Sequence, residues 1–185
     1  PDRTPEFFDA AVRSLERRLS HKGGHTGWSR AWTACLFARA GRGNDAMYHL
    51  EHLITDFATD TLLDLHPPRI FQIEGNFGGA AAVIEMLLQS YYEEIDLLPA
   101  LPSGWPTGSV KGLRARGGYT VDISWQDGRL TEASVTSMET RKCRIRHKDQ
   151  ELLVSDAAGD RVKTERGSTC VEIPAEAGAT YSVTL

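Results

Sequence analysis

Apolar side chains recur at helical spacing through the first half of the chain. Thr4 and Pro5 mark a helix start, because threonine is a good N-cap and proline fits the first helical turn. The apolar positions that follow at intervals of mostly three or four residues are Phe8, Ala11, Val12, Leu15 and Leu19. Similar patterns predict further helices from about Trp28 to Ala40, from Asn44 to about Phe57, and after Asn76.

The second and fourth of these helices are apolar on most sides, whereas the first and third are amphipathic. An alternation of buried and amphipathic helices is typical of a ring with an inner and an outer layer of helices. Four helices cannot close such a ring. We therefore expect this half of the chain to be part of a larger helical domain.

The period changes after a corner rich in proline, serine and glycine between Pro99 and Pro106. From Tyr119 to Trp125 apolar and polar residues alternate, which predicts a half-buried strand. Asp127-Gly128 is a strong hairpin signal, and further strands are predicted at 130–137, 142–147, 169–173 and 181–185. The pattern predicts an α+β chain, with helices up to about Ser90 and an antiparallel, sandwich-like β domain from about Gly108.

Composition narrows the possible partners. The net charge is −4 with both signs interspersed, and the absence of a basic stripe argues against nucleic acid. No apolar run reaches the roughly 20 residues that a membrane span needs. The three cysteines are widely spaced and form no zinc or redox motif.

The run from His66 to Gly79 places a carboxylate next to a helix start. Glu74 would lie at the positive end of the helix dipole, which favours the ionised carboxylate. An ionised carboxylate suits a base or a nucleophile. The alternative is that Glu74 and Asn76 only cap the helix.

A second unusual run, from Gly23 to Arg30, crowds His25, Trp28 and Arg30 around the start of a buried helix. Aromatic rings stack on sugar rings, while histidine and arginine donate hydrogen bonds to hydroxyl groups. The alternative is a glycine-rich helix start, and Trp32 in particular is expected in the core.

Three other histidines are candidates for binding or metal ligation. His66 precedes two prolines that stiffen its loop and aim the imidazole; the alternative is an ordinary surface histidine. His49 and His52 are three residues apart, and a solvated helix face is favoured there over a metal site.

Taken together, these segments resemble the inverting α-L-fucosidases of glycoside hydrolase family 95. The runs that carry the resemblance are Gly24–Trp32 (GHTGWSRAW), His66–Gly78 (HPPRIFQIEGNFG), Glu85–Ser90 (EMLLQS), Leu97–Pro102 (LLPALP), Gly112–Gly118 (GLRARGG) and Val121–Trp125 (VDISW). The resemblance covers almost the whole chain and thins after about Ser137. It implies that residues 1–98 are the last part of an (α/α)6 catalytic barrel and residues 99–185 are a C-terminal β domain.

The resemblance also implies an activity. The family hydrolyses terminal α-L-fucose, typically α-1,2-linked to galactose, and inverts the anomeric carbon. Its general base is usually an Asp at the position of Glu74. The motif commonly reads HPPFQID, so the Arg69-Ile70 pair is an insertion. His66 matches a sugar-binding histidine, and His25, Trp28, Arg30 and Asn76 are further candidate fucose ligands.

The family's general acid and its assisting asparagines lie upstream, and nothing in this chain matches them. The resemblance therefore implies a C-terminal fragment that is inactive alone and needs the missing N-terminal part of the same enzyme to act on a fucosylated oligosaccharide. Cofactors and metal ions are not expected, because two carboxyl groups suffice for glycoside hydrolysis. A secreted or periplasmic location is the family's usual one. The alternative is a structural or carbohydrate-binding remnant without turnover.

Overall fold

The computed structural model describes residues 4–148, 150–166 and 170–185. The chain forms two compact units, Pro1–Met86 and Leu87–Leu185. The first unit is mainly helical and the second is built from strands. The α+β class predicted from the sequence is confirmed.

The helical unit contains the four predicted helices. They are α1 (Pro5–Ser20), α2 (Gly27–Arg39), α3 (Gly43–His52), which continues into a π-helical turn (Leu53–Phe57), and α4 (Ile73–Leu87). A small hairpin lies before α4 and consists of β1 (Leu65–His66) and β2 (Ile70–Phe71). This hairpin was not predicted, and α4 begins at Ile73 rather than after Asn76.

Helix α2 is the most buried of the helices, as its apolar composition predicts. Thr26 caps it, because its Oγ1 accepts a hydrogen bond from the Ser29 backbone N–H. Small residues bring α2 close to α4: a Cβ added at Gly78 would lie 2.8 Å from the Cβ of Ala31. The expectation that Trp32 lies in the core is wrong, since it is 45% exposed and stacks with the Arg18 guanidinium.

The second unit contains the remaining ten strands among the described residues. They are β3 (Leu88–Gln89), β4 (Glu94–Leu97), β5 (Gly108–Ala115), β6 (Tyr119–Gln126), β7 (Arg129–Ser137), β8 (Arg141–Arg146), β9 (Leu153–Ser155), β10 (Glu165–Arg166), β11 (Val171–Ala175) and β12 (Thr180–Thr184). The strands predicted after the proline-rich corner are confirmed. Thr169, the first residue of one predicted strand, lies outside the described residues.

The strands form two five-stranded sheets, in the orders β5-β6-β7-β12-β9 and β10-β11-β8-β4-β3. Buried and less buried residues alternate along β6, so that Val121 and Ile123 face the core. The Tyr119 hydroxyl donates to the carbonyl of Lys142 at 3.1 Å and thereby links the two sheets. This arrangement is the expected sandwich-like form.

Two features of the second unit differ from the expectation. Strands β3 and β4 precede Pro99, because the buried Ile95 and Leu97 complete the sheet core around β8. The β4–β8 pair is parallel, since the chain reaches β8 from β4 only after the long crossover through β5, β6 and β7. Within the described residues, no helix is long and apolar enough to span a membrane.

Candidate active site

Glu74 lies in the first turn of α4 with an exposed side chain. The unpaired backbone N–H groups and the dipole of a helix start favour a negative charge there. This agrees with the position that the sequence predicts for a carboxylate at a helix N-terminus. The geometry makes Glu74 accessible to a molecule in solvent.

Asn76 holds the segment that leads into the β1–β2 hairpin. Its Nδ2 donates to the Leu62 carbonyl, and its Oδ1 accepts from the Asp64 backbone N–H at 2.9 Å. The Gln72 N–H in turn donates to the Asp64 carbonyl at 3.0 Å. Asn76 therefore joins α4 to the preceding loop, which differs from the capping role considered for it.

His66 is half-buried at the end of β1. Its backbone carbonyl accepts from the Arg69 N–H at 2.8 Å, which closes the turn of the hairpin. Its Nδ1 donates to the Pro67 carbonyl, which leaves Nε2 for another partner. The prolines thus orient the imidazole, as the sequence predicts.

Asp64 was missed by the sequence analysis. It is 2% exposed, and neither carboxylate oxygen has a hydrogen-bond partner among the described residues. Burial raises its pKa and the negative charge of Glu74 raises it further, whereas the nearby Leu65 N–H and the charge of His66 act in the opposite direction. The sequence offered one signal, an acidic residue two positions before His66.

His25 and Arg30 lie in a different place, on the side of α2 that faces α1 and α3. They line an open cavity of about 600 Å³ together with Glu16, Leu19, Lys22, Gly23, Phe37, Arg42, Asp45, Tyr48 and His49. The Arg30 Nη1 donates to His49 Nδ1 at 2.8 Å, while its Nε is buried and has no partner among the described residues. Arg30 therefore lines the cavity with its hydrogen-bonding capacity only partly used.

His49 is buried rather than solvated, which corrects the expectation for the His49–His52 pair. Its ring stacks on Phe37 with an interplanar angle of 3°. Burial and the charge of Arg30 lower its pKa to about 4, so the ring is neutral at pH 7. His52 instead pairs with Asp56 at 2.8 Å on the helix surface.

The predicted residues thus fall into two groups within the helical unit. Glu74, His66 and Asn76 lie around the start of α4, whereas His25 and Arg30 line the cavity. Trp28, 44% exposed, lies at the start of α2 next to Gly27, whose backbone contacts the Asp64 carboxylate. Across the described residues, no group of three or more histidine, cysteine or acidic side chains could hold a metal ion.

Comparison with known proteins places the chain among glycoside hydrolases. Alpha-L-fucosidase 2 of Arabidopsis thaliana is 40% identical over 156 residues, which cover 78% of this chain and 18% of that protein. Probable alpha-fucosidase A of Aspergillus oryzae is 37% identical over 132 residues, which cover 63% of this chain and 18% of that protein. The chain thus spans less than a fifth of the length of these relatives.

Among solved structures, a family 39 glycoside hydrolase from the gut symbiont Bacteroides cellulosilyticus WH2 gives a TM-score of 0.33 at 16% identity. The match covers 86% of this chain and 32% of that one, and a score this low supports no argument.

Family models match both halves of the chain. The glycosyl hydrolase family 95 catalytic domain matches residues 1–87. The glycoside hydrolase family 95 C-terminal domain matches residues 89–183. These matches cover the Glu74 segment and the β-sheet unit in the expected order, and the chain therefore belongs to glycoside hydrolase family 95.

Proposed function

We propose that the chain is the C-terminal part of an α-L-fucosidase that hydrolyses terminal α-L-fucosyl linkages, α-1,2 linkages in particular, with inversion of the anomeric carbon. The names of the relatives support the substrate class, and the family supports hydrolysis of a glycosidic bond. The observation that carries the proposal is the exposed Glu74 carboxylate in the first turn of α4, directly after the His66 hairpin.

In this mechanism Glu74 is the general base. It removes a proton from a water molecule as the water attacks the anomeric carbon from the face opposite the leaving group. The group that accepts this proton is the carboxylate of Glu74, which reaches solvent from the first turn of α4. A general acid on an upstream segment protonates the leaving oxygen, at the roughly 6.5–9.5 Å separation of inverting enzymes.

The other residues bind the sugar. Trp28 offers an exposed ring for the apolar face of fucose, and His66 Nε2 accepts from a hydroxyl group. Asn76 already bonds two backbone groups, so it holds the hairpin and retains one N–H for a hydroxyl. His25 and Arg30 line the separate cavity and are further candidate donors to the oligosaccharide.

The test joins this chain to the upstream segments of the same enzyme. We expect the isolated chain to be inactive, because it lacks the general acid. The joined protein should release L-fucose from an α-1,2-fucosylated galactoside. Proton NMR during the first minutes should show the β anomer as the first product, because inversion converts α to β. First appearance of the α anomer, or no release of fucose, would contradict the proposal.

One observation favours a second candidate function, a carbohydrate-binding module without turnover. Trp28 and Trp32 are one helical turn apart on α2 and both are about half exposed, at 44% and 45%. Exposed aromatic rings can stack on sugars, although the Arg18 guanidinium covers one face of Trp32. Calorimetry that detects binding of a fucosylated oligosaccharide to the joined protein, with no fucose released, would favour this function.

A further inference from the structure

The carboxyl group of Asp64 occupies the space that two glycines leave open. A Cβ added at Gly27 would lie 1.5 Å from Asp64 Oδ1, and a Cβ added at Gly75 would lie 2.1 Å from Asp64 Cγ. Neither backbone could carry a larger residue without displacing this side chain. The glycines of the two motifs are therefore explained by one residue that belongs to neither motif's helix.

A merely structural role does not account for Asp64, because its burial lowers the stability of the fold. A buried carboxyl group without hydrogen-bond partners costs stability, and an apolar side chain of similar volume would fill the same space at lower cost. Both oxygens are buried and lack partners among the described residues. The raised pKa of Asp64 agrees with this environment. Its presence calls for a role that an apolar residue could not fill.

The two glycines identify that role. Gly27 precedes Trp28 at the start of α2, and Gly75 follows Glu74 at the start of α4. The backbone of Asp64 is also fixed to α4, because its N–H donates to Asn76 and its carbonyl accepts from the Gln72 N–H. One residue thus contacts both helix starts through its side chain and one of them through its backbone.

We propose that Asp64 is a positioning residue that holds the turn carrying Glu74 against the turn carrying Trp28. Its buried oxygens cannot reach a substrate, so it acts through these two turns and not on the sugar. The inference rests on the proposed function for the roles of Glu74 and Trp28. We call the Asp64 side chain between Gly27 and Gly75 the wedge, and its placement rests only on these two contacts.

The catalytic test compares Asp64→Ala with Asp64→Asn in the joined protein. Removing the wedge should lower kcat by about 100-fold, the usual effect of misplacing a reacting group by about 1 Å. KM should change much less. Asp64→Asn, which keeps the shape, should lose less than about tenfold. An Asp64→Ala protein with wild-type kcat would overturn the proposal.

Gly78→Ala is the matched control. Its new Cβ would collide with Ala31 at 2.8 Å, so it strains the same pair of helices away from Asp64. We expect a lower melting temperature with an unchanged kcat at temperatures where the protein is folded. A loss of kcat equal to that of Asp64→Ala would show that any disturbance of the α2–α4 contact is sufficient, and would overturn the specific role of Asp64.

A second test needs no activity and uses the isolated chain. Gly27→Ala should lower the melting temperature strongly in the wild type and much less in an Asp64→Ala background, because the colliding Oδ1, Cγ and Oδ2 of Asp64 are then absent. Amide hydrogen exchange should accelerate at both Trp28 and Glu74 in Asp64→Ala, and at neither in Asp64→Asn.

The proposal would be overturned if the decreases in melting temperature caused by the glycine substitution and by Asp64→Ala simply added in the double variant. Faster exchange at only one of the two turns would also overturn it. If the joined wild-type protein released no fucose while these coupled effects appeared, the proposed function would fail and the positioning of the two turns would stand.

Discussion

Replacing Glu74 by Gln separates the catalytic role of this residue from a purely structural one. Loss of a general base lowers kcat by about 100- to 10,000-fold. Since each tenfold is about 1.4 kcal/mol, this corresponds to about 3–5 kcal/mol of transition-state stabilisation. The substitution changes one oxygen to nitrogen, so the shape of the site is nearly preserved.

The expected effect on stability is much smaller. The Glu74 side chain is exposed in the first turn of α4, where the interaction of a carboxylate with the helix dipole contributes about 0.3–1 kcal/mol. For a chain of 185 residues that lowers the melting temperature by about 1–4 °C, and the shift is smaller in the longer joined protein. A catalytic Glu74 therefore predicts a large change in turnover together with a small change in melting temperature.

The assay measures fucose release and thermal melting for the joined protein and its variants. Glu85→Gln is the control, because Glu85 lies on the same helix and pairs with Arg39 at 3.1 Å, away from the helix start. It should alter stability and leave kcat unchanged. Glu74→Asp shortens the side chain to the length that the family's motif usually has, and it should retain or raise the rate.

The outcome that refutes the reasoning is simple to recognise. If Glu74→Gln retained wild-type turnover and only melted at a slightly lower temperature, Glu74 would be a helix-stabilising residue and the base would lie elsewhere.

Three further predictions concern other parts of the chain. Burial holds the pKa of His49 at about 4, below its usual 6.5, so the stability that depends on the neutral ring is fully present above pH 6.5 and falls by up to about 3 kcal/mol as the pH drops to 4. Urea unfolding should show that His49→Gln, which can still accept a hydrogen bond from Arg30, lacks this part of the loss. An equal loss in both proteins would contradict the prediction. Ile123 is 1% exposed, so Ile123→Ala should lower the free energy of unfolding by about 2–5 kcal/mol. Ser124→Ala, on the opposite face of β6, should change it by less than about 0.5 kcal/mol. Similar losses for the two variants would contradict the assignment of Ile123 to the buried face of β6. Phe77 is 69% exposed on α4, and the isolated chain should therefore self-associate and bind an apolar dye. Self-association and dye binding should both decrease in Phe77→Ser. If the wild-type chain sedimented as a monodisperse monomer and bound no dye, the prediction would be wrong.

Periodicity predicted the elements whose burial is set by their own sequence. The strict alternation in β6 places Val121 and Ile123 in the core because a strand exposes its two faces in turn. Helix α2 could be located because its small and apolar residues leave little polar surface, and Thr26 supplies the cap. Such features depend on neighbours within a few residues, which a single sequence contains.

The features that were missed depend on neighbours distant in sequence. Trp32 was expected in the core, but it is half exposed and its ring stacks with Arg18. His49 was expected on a solvated face, but its imidazole is buried against Phe37 and Arg30. Nothing local distinguishes a histidine on an amphipathic helix that will face solvent from one that will face another helix. Asp64 was missed for the same reason, because its two glycine neighbours lie in separate motifs.

The hairpin before α4 contains Arg69 and Ile70, the pair expected from the family resemblance to be an insertion. In the structure His66 pairs with Ile70, and the Arg69 N–H closes the turn. The bonds that fix α4 attach on either side of this insertion, at Asp64 before it and at Gln72 and Asn76 after it. The position of the turn carrying Glu74 is therefore set by bonds to Asp64 and does not depend on the length of the hairpin. The Arg69-Ile70 pair lies next to His66 and bears on its placement, whereas the bonds that fix the start of α4 lie outside this pair.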